Sequence, residues 1–320
     1  MTVLTAKPNL QIFADTLLEL ARADKNIIVV TSDSRGSGKL IEFGEQLPEQ
    51  IVEVGIAEQN LVGIAAGLAA AGKKVFAVSP ASFLTARALE QIKNDICYSD
   101  LPVTLVGISA GVSYGALGST HHSLHDLAVL RAINNLDIVV PADNFETREC
   151  IKAAVNYARP LYIRFGKRPL PNLYESDAPF KIGQATILRD GLDIALMAIG
   201  ETVHPALSAA QDLQDKGLSV RVVSMHTLSP LDEATILESA KRCRAMMTIE
   251  EHMQTGGLGE AIAALLMRSG VLLPFEIVGI PNEYTITGSQ MDIFNHYGIS
   301  TSGLSQVAKK LLTQAQRTKP

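Results

Sequence analysis

The chain has 320 residues, 47% hydrophobic and 19% charged, with a formal net charge of −5; this fits a globular α/β chain of two ordinary domains and leaves no basic footprint for nucleic acid. No charge-free apolar stretch reaches membrane-spanning length, and the first 20 residues carry Asp15 and Glu19 where a signal peptide needs an apolar core. Cys97, Cys150 and Cys243 stand singly without a CxxC, which excludes a disulfide framework or a ferredoxin-type cluster and suits a reducing cytoplasm.

Short β-rich runs alternate with longer amphipathic ones. Strands are expected at 26–33, 51–55, 74–79, 103–109, 137–143 and 161–166, with helices at 10–23, 58–71, 83–98, 123–133 and 144–158. This alternation predicts parallel βαβ units in a doubly wound sheet. The strands are apolar almost throughout, as required when both faces are covered. RPLPNLYESDAPF (168–180) then holds three prolines and no periodicity, and reads as a connection. Beyond it, strands at 193–200, 219–225, 245–251 and 275–280 alternate with helices at 201–216, 232–244 and 257–269. The fold class is therefore α/β with two doubly wound domains: a first over 1–170, a linker over 171–180 and a smaller second over 181–320.

Several residues invite a functional reading. In VEVGIAEQN (52–60) the carboxylate of Glu58 falls between two segments built for burial. A place in the first turn of a helix favours it through the helix dipole, which is a sufficient structural reason. Gly63 and Gly67 follow, and would let that helix pack closely on a neighbour. In YGALGSTHHSLHD (114–126) a glycine-containing loop follows a strand and leads into a helix, where open α/β sheets place ligands. Ser123 and Asp126 have capping-box spacing. His121 and His125 are four apart, but without Cys or HExxH context a zinc site is disfavoured. His204 and His226 read as structural. Arg164, at the end of an apolar strand, either binds an anion or simply snorkels or pairs with an acid. EEH (250–252) and TGGLG (255–259) admit phosphate cradling, although a tight strand-to-helix turn is favoured because no GxGxxG or GxxxxGK[ST] is present.

Five pieces in order resemble the thiamine-diphosphate-dependent transketolase family over nearly the whole chain: VGIAEQNLVGIAAGLA, SFLTARALEQIKNDICY, GSTHHSLHDLAVLRAINNLDIVVPAD, RPLYIRFGK and EEHMQTGGLGEAIA. The resemblance implies a pyrimidine-binding domain followed by a transketolase C-terminal domain. The family's metal- and diphosphate-binding domain is marked by a Gly-Asp-Gly, which this chain lacks. The chain therefore looks like the C-terminal half of a split transketolase, with the divalent metal (Mg2+ or another) held by an N-terminal partner subunit, no metal site of its own, and a heterotetrameric assembly.

What the resemblance implies for residues is specific. Glu58 matches the activating glutamate, which bonds N1′ of the aminopyrimidine and favours the tautomer whose 4′-nitrogen takes the thiazolium C2 proton. Phe83 matches the aromatic packed on that ring, while Ala86 and Leu89 replace further family aromatics. Asp33 and Ile56 fall at cofactor-side positions. His121 matches the histidine that contacts the donor sugar near its carbonyl, His122 replaces a glutamine, and Leu117 replaces an aspartate that recognises a donor hydroxyl. A site that loses such a hydrogen-bonding group changes its discrimination, which points to a branched or shortened donor. Arg164 matches a phosphate-binding arginine. The implied activity is transfer of a two-carbon ketol unit from a ketose phosphate to an aldose phosphate. The β subunit of a 2-oxo acid dehydrogenase and a non-catalytic assembly subunit are the alternatives.

Overall fold

The computed structural model describes residues 5–174 and 178–317, so part of the expected linker, 175–177, lies outside the described residues. The strands in chain order are β1 (Thr5–Pro8), β2 (Ile27–Thr31), β3 (Ile51–Glu53), β4 (Lys74–Pro80), β5 (Val103–Ile108), β6 (Asp137–Val139), β7 (Leu161–Arg164), β8 (Pro169–Pro171), β9 (Thr186–Arg189), β10 (Ile194–Ala198), β11 (Val220–Ser224), β12 (Thr227–Ser229), β13 (Ala245–Met253) and β14 (Phe275–Ile280). They form a seven-stranded sheet, β12-β6-β7-β5-β4-β2-β3, a five-stranded sheet, β14-β13-β10-β11-β9, and a β1-β8 pair. All pairings in the two larger sheets are parallel except those of β12 and β9. Helices cover the sheets, and the strands β2, β5 and β10 are buried along their whole length, which explains their unbroken apolar sequence. The fold class is the one expected: two α/β units, each with a largely parallel sheet.

Four details differ from the expectation. The connection is partly structured, because β8 within it pairs antiparallel with β1 near the N-terminus. The second unit donates β12 to the first sheet, against β6, so the sheet does not stop at the sequence boundary. The expected helix 83–98 breaks into Ala81–Arg87, a single turn at Leu89–Gln91 and a π-helical stretch Ile92–Tyr98. Gly63 and Gly67 do not serve close packing within the chain: a Cβ at either would meet no atom within 4 Å.

The apolar core ignores the boundary too. One buried cluster takes in Ile138 and Val140 from the first unit together with Met225 and Leu228 from the second. No described helix is long and apolar enough to cross a membrane.

Candidate active site

The first sheet switches direction at β2: the chain steps outward to β3, then back across β2 to β4. Ligands of open α/β sheets sit at such a switch, beyond the carboxyl ends of the strands. The candidate residues emerge there, Asp33 after β2, Ile56 and Glu58 after β3, Phe83 after β4 and the 110–123 loop after β5.

Glu58 opens the helix Glu58–Ala70 and is 4% exposed. Its Oε1 accepts from Arg87 Nη1 at 2.9 Å. The same guanidinium lies 4.3 Å over the Phe83 ring centroid. Phe83 meets His121 edge-on at 5.4 Å, His121 meets Tyr114 edge-on at 5.4 Å, and Lys167 Nζ stands 4.5 Å over the Tyr114 ring. A continuous strip therefore runs from a carboxylate, across a flat aromatic and an imidazole, to an ammonium group. Burial and the neighbouring Lys39 hold the Lys167 pKa below the ordinary lysine range. Neither lysine has an ion-pair partner among the described residues.

His121 Nδ1 is 3.0 Å from Thr120 Oγ1, and the ring is partly exposed. Leu117, on the short 3-10 turn Gly115–Leu117, is 55% exposed. Ile56 is 73% exposed and borders, with Glu58 and Arg87, a cleft of about 750 Å³. Asp33 is exposed with φ +50°, a conformation Asp tolerates better than most residues. A residue not anticipated, Glu53, braces this corner: its Oε1 accepts from the amides of Asp33 at 2.7 Å and Gly55 at 3.0 Å.

Two expected substrate contacts need correction. Arg164 is 4% exposed and committed to the interior, donating to Asp126 Oδ1 and to the Glu251 carbonyl, both at 2.8 Å. Its strand is covered on both faces, so a charge there requires a buried partner. The cation that does reach the strip is Lys167, three residues further on. His122 is also turned inward, with Nε2 2.9 Å from the Gly115 carbonyl and Nδ1 2.7 Å from Thr285 Oγ1. Both ring nitrogens are used up in holding the loop, and burial lowers its pKa.

The capping box at Ser123 and Asp126 does not form, because Asp126 turns to Arg164 and to Tyr162, whose hydroxyl donates to it at 2.8 Å. The glycines of 255–259 do cradle an anion, but it is the chain's own: Glu250 accepts from the amides of Leu258 and Gly259 at 2.8 Å. Among the described residues no three His, Cys, Asp or Glu side chains are grouped to hold a metal. His125 Nε2 lies 3.5 Å from Thr85 Oγ1.

Residues 7–172 match the family described as transketolase, pyrimidine binding domain, and residues 183–304 match transketolase, C-terminal domain. The chain belongs to the transketolase family. It is 47% identical to an apulose-4-phosphate transketolase subunit of Phocaeicola vulgatus, over 92% of this chain and 95% of that protein. Its identity to the subunit of the same description from Actinobacillus succinogenes is 36%, over 94% and 97%. A solved split-gene transketolase, described as an inactive β4 tetramer, superposes with a TM-score of 0.86 at 34% identity, over 96% of this chain and 99% of that one. The family depends on thiamine diphosphate, and the residues present fit its ring. Arg87 is a planar N–H donor that makes the two contacts an aminopyrimidine needs, a face on Phe83 and a hydrogen bond to Glu58.

Proposed function

We propose that this chain is the C-terminal subunit of a split transketolase that transfers a two-carbon ketol unit from a branched ketose phosphate to an aldose phosphate. The observation that carries the reading is the strip from Glu58 to Lys167, an acid and a cation at opposite ends of a flat aromatic path. When bound, thiamine diphosphate supplies the carbanion chemistry, and the protein supplies binding and proton management. Glu58 holds the proton at the pyrimidine N1′, helped by its place at a helix N-terminus. Phe83 packs on the ring face, and Arg87 gives up both contacts as the ring enters. Ile56 and Asp33 border the cofactor. His121 presents a ring nitrogen toward the reacting carbonyl of the donor. Lys167, with Lys39 beside it, takes the donor phosphate as a point charge.

The apolar, exposed Leu117 offers no hydrogen bond to a donor hydroxyl. Two relatives are described as acting on apulose 4-phosphate, a branched ketose phosphate, and that sugar is the first donor to test. Cleavage between its carbonyl carbon and the branched carbon leaves a three-carbon ketone phosphate. The diphosphate and a divalent metal are assigned to an N-terminal partner subunit, the assembly to a heterotetramer and the setting to the cytoplasm. The test is co-purification with that partner, then a donor screen with glyceraldehyde 3-phosphate as acceptor. Apulose 4-phosphate is expected to be consumed fastest. A wide preference for the linear fructose 6-phosphate or sedoheptulose 7-phosphate overturns the donor assignment, and absence of two-carbon transfer from any ketose phosphate overturns the activity.

A further inference from the structure

At the end of β13, three successive side chains serve three different places. Glu250 is spent on the turn of its own domain. Glu251 crosses to the first domain, where its Oε1 accepts from the Val112 amide at 2.9 Å. His252 Nε2 accepts from the Ala128 amide at 3.3 Å. The main chain joins in, with Met253 N donating to the Leu124 carbonyl at 3.1 Å. Both feet of the 110–124 loop, at Val112 and Leu124, are thus tied to one strand end of the C-terminal domain. A backbone bridge between Gly111 and Ser123 closes the base of the loop. Along its returning side, Thr285 bonds His122 and, at 3.0 Å, Ser119.

Glu251 is the costly member of this set. It is buried, it lies near a second buried carboxylate, Glu201, and one Gln290 amide donates to both. Burying a carboxyl in such company is unfavourable unless its bonds are well made. The loop accommodates it through Gly111, at φ +61°, where a Cβ would stand 2.2 Å from Glu251 Cδ. Between the feet lie His121, which is part of the strip, and the exposed Leu117.

We propose that Glu251 is a positioning residue: by fixing the Val112 amide it sets where the 110–123 loop holds His121 and Leu117 over the cofactor and donor. The C-terminal domain thereby acts on sugar recognition without touching the sugar. This rests on the reading of that loop as the sugar-contacting surface.

The test compares Glu251→Met, which keeps length but removes the acceptor, with Glu251→Gln, which keeps the acceptor, each assembled with the partner subunit. For Met, the donor KM is expected to rise by about tenfold to a hundredfold, the scale set by ångström-level misplacement. Its thiamine diphosphate Kd is expected to stay near native, and amides 110–124 of the full chain should exchange hydrogen faster. Gln is expected to restore both readouts. A native donor KM and native exchange in the Met variant overturn the proposal, as does a Gln variant as impaired as Met. Should the Met variant not fold, Gly111→Ala presses on the same carboxyl from the loop side and carries the same expectations. If the native complex transfers no two-carbon unit, the transferase reading falls, while the exchange experiment still decides the positioning.

Discussion

Glu58 and Arg164 are both charged groups at the edge of buried segments, and they differ in what each can still reach. Glu58 is held by a half-exposed arginine that can leave, whereas Arg164 faces Asp126, which is fully buried. Glu58→Gln should therefore leave the melting temperature near native while lowering turnover by about 10²–10⁴-fold, the range for a lost proton-transfer group. Steady-state assay of the assembled enzyme checks this. Lys167→Ala should raise the donor KM with no loss of stability. Arg164→Met should instead cost about 3–5 kcal/mol, because Asp126 is left as an uncompensated buried charge, and denaturant unfolding of the two variants distinguishes them. LYIRFGK carried the hint in the sequence: in a strand covered on both faces an arginine has to be paired inside, so the free cation is the one past the strand's end. His122 was less legible, since its partner Thr285 lies 163 residues away.

At the level of elements, the parallel strands and their crossover helices follow directly from alternating apolar runs and amphipathic ones. The helix Thr301–Arg317 has the same signature, with Leu304, Ala308, Leu311, Leu312 and Ala315 buried at helical spacing, although the elements expected from sequence end at the strand before it. What local pattern does not contain is the meeting of strand ends with distant loops, where buried acids collect. Burial raises the pKa of Asp143 to about 6 and Glu250 to about 7, and also raises Glu146, Glu201 and Glu251. Groups raised on folding bind protons more tightly in the native state, so their stability is full at low pH and lost as pH rises through the folded values. His226 and His252 are pushed down by burial to about 4, so their contribution is present above their ordinary value and lost as pH falls. Between the ordinary histidine value and neutrality the raised acids are the groups whose protonation still changes. The urea midpoint should accordingly fall as pH rises from about 6.5 through neutrality, and Glu251→Gln should flatten that fall.

For the whole molecule, the proposed function makes this chain one side of a cofactor site, with the Glu58 carboxylate and the Phe83 ring meeting the pyrimidine. Thiamine diphosphate should bind weakly to the chain alone and tightly after mixing with the N-terminal partner and Mg2+. Isothermal titration checks this, and tight binding by the isolated chain would contradict the split-site reading. The two-domain layout was legible from the proline-rich break at 168–180, because composition marks a connection. That break says nothing of which sheet a later strand joins, and β12 joins the first. A chain cut at the linker would leave β6 as a raw sheet edge, its backbone amides and carbonyls open to any passing strand. The two halves of this polypeptide are thus not interchangeable parts. Grafting the C-terminal domain of one relative onto the first domain of another would import a strand along with it, and the graft would hold only if the sheet of the new host accepted that strand's side chains.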